Sequence, residues 1–189
     1  MKSICVFCGS NDGAKGIYIE TAKALGKYLA NKNITLIYGG GNVGLMGSIA
    51  NSVLQNGGKV IGVMPEYLVK KEIAHKNLTE LHIVESMHER KALMAKLADG
   101  FIALPGGFGT FEELLEIVTW AQLLYHKKPC AILNVEGFFD YLIKFIEHAV
   151  NEEFIKKENG KLLICENNIE NLFSVMLNWN PVIVEKWIK

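Results

Sequence analysis

Short apolar runs alternate with longer stretches of helical period along most of the chain. The runs fall at residues 3–7, 34–38, 59–63, 80–84, 100–104, 129–133 and 161–165. Most carry few polar residues, as expected for strands buried on both faces of a parallel sheet, where neither side meets water. Helical patterns fill most of the gaps, and only 65–77 and 151–160 lack a clear period. The pattern predicts an α/β chain: a Rossmann-like three-layer sandwich, its mainly parallel sheet of about seven strands covered by helices on both faces. At 189 residues the chain can bury such a core, and 1–189 is read as one nucleotide-binding domain.

In sheets of this class ligands bind beyond the carboxyl ends of the strands, and three glycine turns fall there. The most informative is Leu104-Pro105-Gly106-Gly107-Phe108-Gly109-Thr110-Phe111-Glu112-Glu113, between an apolar strand and a strongly helical segment. Glycines let backbone N–H groups approach an anion closely, and the helix that follows turns its positive end toward the same point. Thr110 and Glu113 have two readings. Thr-x-x-Glu ahead of an apolar run is also a capping box, in which both side chains only satisfy backbone donors. On a helical wheel Leu114, Ile117, Val118, Ala121 and Leu124 form the apolar stripe. Glu113 lies on its edge, whereas Glu112 and Glu116 point away and are expected to be solvated. An inward carboxylate beside an anion cradle is costly unless paired or used, so Glu113 is the chemical candidate.

Ser86-Met87-His88-Glu89 opens a second helix with a capping-box pattern, its buried stripe read as Met87, Met94, Leu97 and Ala98. Arg90 and Lys91 fall inside or beside that stripe. An isolated cation there would snorkel to water. Two adjacent cations one strand before a glycine cradle point instead to phosphate or to an active-site carboxylate.

The run ending at Tyr38 leads into Gly39-Gly40-Gly41-Asn42-Val43-Gly44-Leu45-Met46-Gly47, which contains G-x-G-x-x-G. A dinucleotide fold places that motif after its first strand and an acid at the end of the next. Here it follows the second strand, and the next ends Val60-Ile61-Gly62-Val63-Met64-Pro65 with no acid, which disfavours hydride transfer. Together with Cys8-Gly9-Ser10, the glycine turns still indicate a nucleotide.

Twenty basic and twenty acidic residues give zero net charge, which offers no nucleic-acid surface. No apolar run approaches a membrane span, and no charged segment followed by an apolar one opens the chain. Cys5 and Cys8 make a C-x-x-C, but they lie in or at the end of the first strand, where positions three apart point to opposite faces, and Cys130 and Cys165 offer no second pair; all four are expected to be buried, reduced thiols of a cytoplasmic protein. The five histidines have no partners at metal-ligand or triad spacing and are read as surface or structural. A G-x-S-x-G elbow and a Walker loop are both absent.

Cys8-Gly9-Ser10, the cluster from Gly39 to Gly47, the block from Ala74-His75 to Arg90-Lys91, the P-G-G-x-G-T-x-x-E run and Thr119-Trp120-Ala121-Gln122-Leu123 resemble the LOG ("Lonely guy") family nearly end to end. Its members are often mislabelled lysine decarboxylases. The resemblance implies a cytokinin riboside 5′-monophosphate phosphoribohydrolase, which splits the N-glycosidic bond of an N6-modified AMP or of AMP into free base and ribose 5-phosphate. It implies no cofactor and no metal, a small nucleotide substrate, a homodimer, and neither nucleic acid nor membrane as partner.

Carried over by position, the resemblance makes Arg90 and Glu113 the catalytic pair. Substrate contacts fall on Glu72, Arg90, Lys91, Gly107, Phe108, Gly109, Thr110, Phe111, Glu112, Glu113 and Thr119, of which Glu72 and Thr119 rest on resemblance alone. Ser10, Gly40 and Gly41 join them from the earlier turns. Leu124 stands where the family pattern has glycine, and is read as bulk beside the helix face of Glu113 that bears on base selectivity. Two other classes compete. One is a non-catalytic nucleotide-binding module, which could dispense with Glu113. The other is a pyridoxal-dependent lysine decarboxylase, which would need a Schiff-base lysine in the position of Lys91 with an acidic partner for the pyridine nitrogen.

Overall fold

The computed structural model describes residues 1–69, 74–181 and 183. Its strands are β1 (Ser3–Phe7), β2 (Thr35–Tyr38), β3 (Val60–Pro65), β4 (Glu80–Val84), β5 (Phe101–Ala103), β6 (Cys130–Leu133) and β7 (Leu163–Glu166). They form one sheet in the order β4-β3-β2-β1-β5-β6-β7, every pairing parallel. The expected three-layer α/β fold is therefore present, with a sheet that is wholly parallel. Residues 161–162 belong to a 3-10 turn (Asn159–Leu162) that precedes β7.

Helices α1 (Gly16–Asn31), α2 (Gly44–Gln55) and α7 (Ile169–Leu177) cover one face, where their apolar stripes meet Ile4, Val6, Leu36, Tyr38 and Ile102. On the other face, α4 (Met87–Leu97) and α5 (Phe108–Gln122) pack over Cys5, Phe7, Ile37 and Phe101. Alternate β1 residues thus go to opposite layers and both sets are buried, which is why the strand carries no polar alternation. Each fully buried Ile or Leu contributes about 2 kcal/mol of transfer free energy. Helix α6 (Asp140–Asn151) flanks α5 around Leu114, Ile132 and Phe139. A single turn, α3 (Glu66–Val69), follows β3.

The chain builds outward from β1 to β4, then returns to add β5 on the other side of β1. The loop after β1 leads to one layer and the loop after β5 to the other. Their divergence opens a crevice at the carboxyl end of the sheet.

Two expectations change at the edges. Cys165 is exposed while the other three cysteines are buried, because β7 is an edge strand with only one covered flank. Leu124 does not lie beside Glu113. It follows the C-terminus of α5 at φ +61°, with Leu124 N–H bonded to Ala121 O at 3.0 Å and Tyr125 N–H to Trp120 O at 2.9 Å. Those two bonds are a Schellman motif, whose left-handed position favours glycine for backbone reasons. Leu124 is roughly 15 Å along the helix from Glu113. Leu124→Gly should raise stability by about 1 kcal/mol, less whatever packing the half-exposed side chain provides, and leave base preference unchanged. Thermal melting and competition between AMP and an N6-substituted AMP check both halves.

Candidate active site

A cleft of about 250 Å³ opens at the crevice, bordered by the loop after β1, the start of α5 and the first turns of α4. Gly107 is the N-cap of α5 and offers no side chain to the helix end. The N–H groups of Phe108, Gly109 and Thr110 have no acceptor within the helix, so they and the helix dipole are free to meet an anion. Thr110 is buried and packs against Gly106, where any Cβ would overlap its side chain. Because the helix begins at Phe108, Thr110 is its third residue and Glu113 its sixth. The capping-box reading of these two residues is thereby removed.

The second glycine cluster behaves differently. At the start of α2 the N–H groups of Leu45 and Met46 both point at Gly9 O, at 3.1 and 3.4 Å. That helix end is satisfied by protein and ties the β1 loop in place. Gly40 O accepts from His75 N–H at 3.1 Å and Gly41 bridges to Ala74; neither is among the residues lining the cleft. Gly39 has a separate task, because a Cβ there would collide with Arg90 Nη2. The bare end of β2 is the seat of the guanidinium.

Arg90 is held from several sides. Its Nε donates to Val63 O at 3.1 Å, and Nη1 lies 3.3 Å from Glu113 Oε1 and 3.8 Å from Met87 Sδ. Both ion-pair side chains are only 11% exposed. The contact is close but poorly aligned, so Glu113 Oε1 is buried without a hydrogen bond. Burial pushes the Glu113 carboxyl above the usual glutamate range, against the opposing pull of Arg90. The helix carrying Arg90 starts as the sequence indicates: Ser86 Oγ accepts from Glu89 N–H, although Glu89 returns its bond to Glu85 N–H and not to the N-cap residue.

Lys91 points elsewhere. Its ammonium bonds Glu112 Oε1 at 2.5 Å and Glu116 Oε2 at 3.0 Å, and it is not among the cleft-lining residues. Glu112 and Glu116 are therefore ion-paired, not merely solvated as the helical wheel suggests. The Lys91 side chain is only 11% exposed, and this desolvation disfavours its charge, yet its two carboxylate partners more than compensate and hold its pKa above the ordinary lysine value. An amine so firmly protonated is a poor Schiff-base nucleophile, which argues against the decarboxylase reading.

Of the other expected contacts, Ser10, Gly107, Phe108, Gly109, Thr110, Glu112 and Glu113 line the cleft, with Phe108 almost wholly exposed at its mouth. Phe111 turns inward, edge-on to Phe139. Thr119 is exposed on the outer side of α5, where its hydroxyl donates to Leu115 O at 2.7 Å. Glu72 lies outside the described residues. Cys8, Met46 and Leu68 also line the cleft and were not singled out from sequence, and Met87, expected in the buried stripe of its helix, is half-buried on the cleft wall. Cys8 and Met46 could have been found, since they belong to the Cys8-Gly9-Ser10 turn and the second glycine cluster; Leu68 carries no local signal.

The family described as "possible lysine decarboxylase" matches residues 46–176. The cytokinin riboside 5′-monophosphate phosphoribohydrolase LOG of Oryza sativa subsp. japonica is 50% identical over 180 residues, which cover 95% of this chain and 74% of that protein. The chain belongs to the LOG family. LOG7 of Arabidopsis thaliana, also named a cytokinin riboside 5′-monophosphate phosphoribohydrolase, is 47% identical, with 95% and 83% of the two chains covered. The LOG fold extends to more distant proteins. The molybdenum cofactor carrier protein of Chlamydomonas reinhardtii superimposes with a TM-score of 0.67 at 19% identity, covering 94% of this chain and 96% of that one. The molybdenum cofactor binding protein of Rippkaea orientalis gives 0.69 at 18%, covering 94% and 97%. At such identities the likeness is one of fold alone.

Proposed function

We propose that this LOG-family chain hydrolyses the N-glycosidic bond of adenosine 5′-monophosphates, N6-modified or plain, releasing free base and ribose 5-phosphate. The observation that carries this reading is the buried Arg90–Glu113 pair on a cleft that also holds the open N-terminus of α5. The names of the relatives point to the same reaction.

The chemistry follows from what an N-riboside needs. As the bond from C1′ to the base nitrogen lengthens, positive charge builds on the sugar and negative charge on the departing base, and water must reach the open face of C1′. Glu113 stabilises the cationic sugar and accepts a proton from the water whose oxygen bonds to C1′. The base leaves with the electron pair of the broken bond and takes up a proton. Arg90 orients Glu113 and supports the leaving base. The first turn of α5 holds the 5′-phosphate, and that binding energy fixes the reacting end. Ser10 and the backbone from 107 to 110 form the phosphate side.

The test is chromatographic detection of free base from AMP and from an isopentenyl-modified AMP. Because the anchor is an anion site, adenosine should turn over far more slowly than AMP at subsaturating concentration; equal turnover would remove the phosphate from the reading.

The same reading includes a homodimer and a cytoplasmic setting. α6 buries none of its residues in the single chain, and Tyr141 and Phe145 stand largely exposed on it. Leu115 and Thr119 are exposed on the neighbouring helix α5. Apolar area of this kind supports a twin subunit. Light scattering at micromolar concentration should give twice the chain mass, and Phe145→Asp should shift it to one chain mass. Among the described residues no helix is long and apolar enough to cross a membrane, and the buried free thiols suit a reducing compartment.

A further inference from the structure

We propose that Lys91 is a positioning residue for Glu113: it clamps Glu112 and Glu116 of α5 and offsets part of their charge from behind the catalytic carboxylate, leaving substrate contact to Arg90. This departs from the resemblance, which makes Lys91 a substrate contact, and it rests on Glu113 acting as the carboxylate of the reaction.

The geometry separates two adjacent cations. Arg90, Glu112 and Glu113 border the 250 Å³ cleft, whereas Lys91 does not. Lys91 instead lines a water-sized gap of about 10 Å³ behind Glu113, walled by Phe7, Phe101, Ile117 and Trp120. It is only 11% exposed, with Glu112 Oε1 at 2.5 Å and Glu116 Oε2 at 3.0 Å. Two of the three N–H donors of its ammonium are taken by these carboxylates, which hold the head on the α5 side of the gap. Consecutive helix positions differ by about 100°, and here the two heads take different partners, Arg90 on Glu113 and Lys91 on Glu112 and Glu116. One enters the cleft and the other braces α4 against α5.

The electrostatic consequence has a definite sign. From α4, Glu113 faces Arg90 and Lys91; from α5 it faces Glu112 and Glu116; from β1 it faces the Cys5 and Cys8 thiols, which burial keeps protonated. Burial is the largest influence and raises the Glu113 pKa. Arg90 and Lys91 lower it, while Glu112 and Glu116 raise it. Three glutamates within two turns of one helix would otherwise favour a proton on the most buried of them. Lys91 offsets one of the two outer charges, which helps Arg90 hold the third as a carboxylate.

The experiment titrates Glu113 directly, by carbon-13 NMR of labelled glutamate carboxyls assigned with Glu113→Gln, in parallel with pH profiles of AMP hydrolysis. Lys91→Met should move the Glu113 midpoint upward by on the order of one pH unit. The acid limb of kcat should follow it, with KM for AMP within about twofold of the wild type. Lys91→Met combined with Glu112→Gln and Glu116→Gln should bring both midpoints back toward the wild type, a rescue that loss of a substrate contact could not give. Lys91→Arg should retain the wild-type limb. A large rise in KM for Lys91→Met with an unmoved Glu113 midpoint would overturn the proposal and return Lys91 to the substrate. An upward shift persisting in the triple variant would also overturn it, because the charge of Glu112 and Glu116 would then not be what Lys91 counters. The NMR midpoint requires no turnover, so a Glu113→Gln enzyme of normal activity would count against the functional reading separately.

Discussion

Glu113→Gln is expected to lower the rate of AMP hydrolysis by on the order of a hundredfold or more, a loss of about 2.7 kcal/mol or more of transition-state stabilisation, while the fold persists. The amide keeps the shape of the side chain but not its charge, and only the charge answers the oxocarbenium. The stability side has a sign that can be worked out. Burial raises the folded-state pKa of Glu113 above its unfolded value. The folded protein therefore binds this proton more tightly, and the ionised carboxylate weighs against folding increasingly as pH rises through the folded pKa. Glutamine removes that penalty and costs Arg90 one partner, so the two changes oppose each other and the melting temperature should move little at neutral pH. The wild-type acid limb should lie above the ordinary glutamate value for the same reason. An enzyme with Glu113→Gln that keeps near wild-type turnover would leave the cleft without its proposed catalyst.

Arg90→Ala should abolish turnover to a comparable degree by a different route. Removing the guanidinium takes away the main influence that lowers the Glu113 pKa, so the pKa rises further and less of the carboxyl is ionised to act as base or cation stabiliser. Breaking a buried pair by deleting one partner commonly costs about 3–5 kcal/mol when the other charge stays stranded. Here Glu113 can neutralise itself, so the loss of stability should be small at low pH and grow as pH rises through the raised pKa. Gly39→Ala tests the same seat from the other side. The added methyl occupies the space of Arg90 Nη2 and should displace the guanidinium from Glu113 without altering any titratable group. A coincident fall in kcat for Arg90→Ala and Gly39→Ala, with Gly39→Ala folded by circular dichroism, ties the activity to the position of the guanidinium. Full activity in Gly39→Ala would show that Arg90 need not sit there.

Glu112→Gln is a poor inert comparison for either variant. Its carboxylate is bound to Lys91, a fact that the helical wheel could not show, because the wheel fixes direction around one helix and says nothing about a cation arriving from another.

The sheet and its layers were legible in the chain: the five inner strands are buried on both faces and leave a nearly continuous apolar signature, while the edge strands β4 and β7 are partly exposed and carry polar residues. Equally legible were the glycine turn at 105–109 as the start of a helix and Glu113 as the inward carboxylate, since both depend on local geometry. Which of the similar local signals does what depends on contacts between elements far apart in the chain. Two glycine clusters open helices, but the N-terminus of α2 is filled by Gly9 O while that of α5 faces the cleft. Two adjacent cations share a helix, but Arg90 meets Glu113 across the end of β2 while Lys91 braces the back of α5. Leu124 meets a backbone requirement of a helix end and not a requirement of the substrate. In each case the deciding partner lies on another element, distant in sequence, and a pairing set by strand order leaves no periodicity from which it could be read.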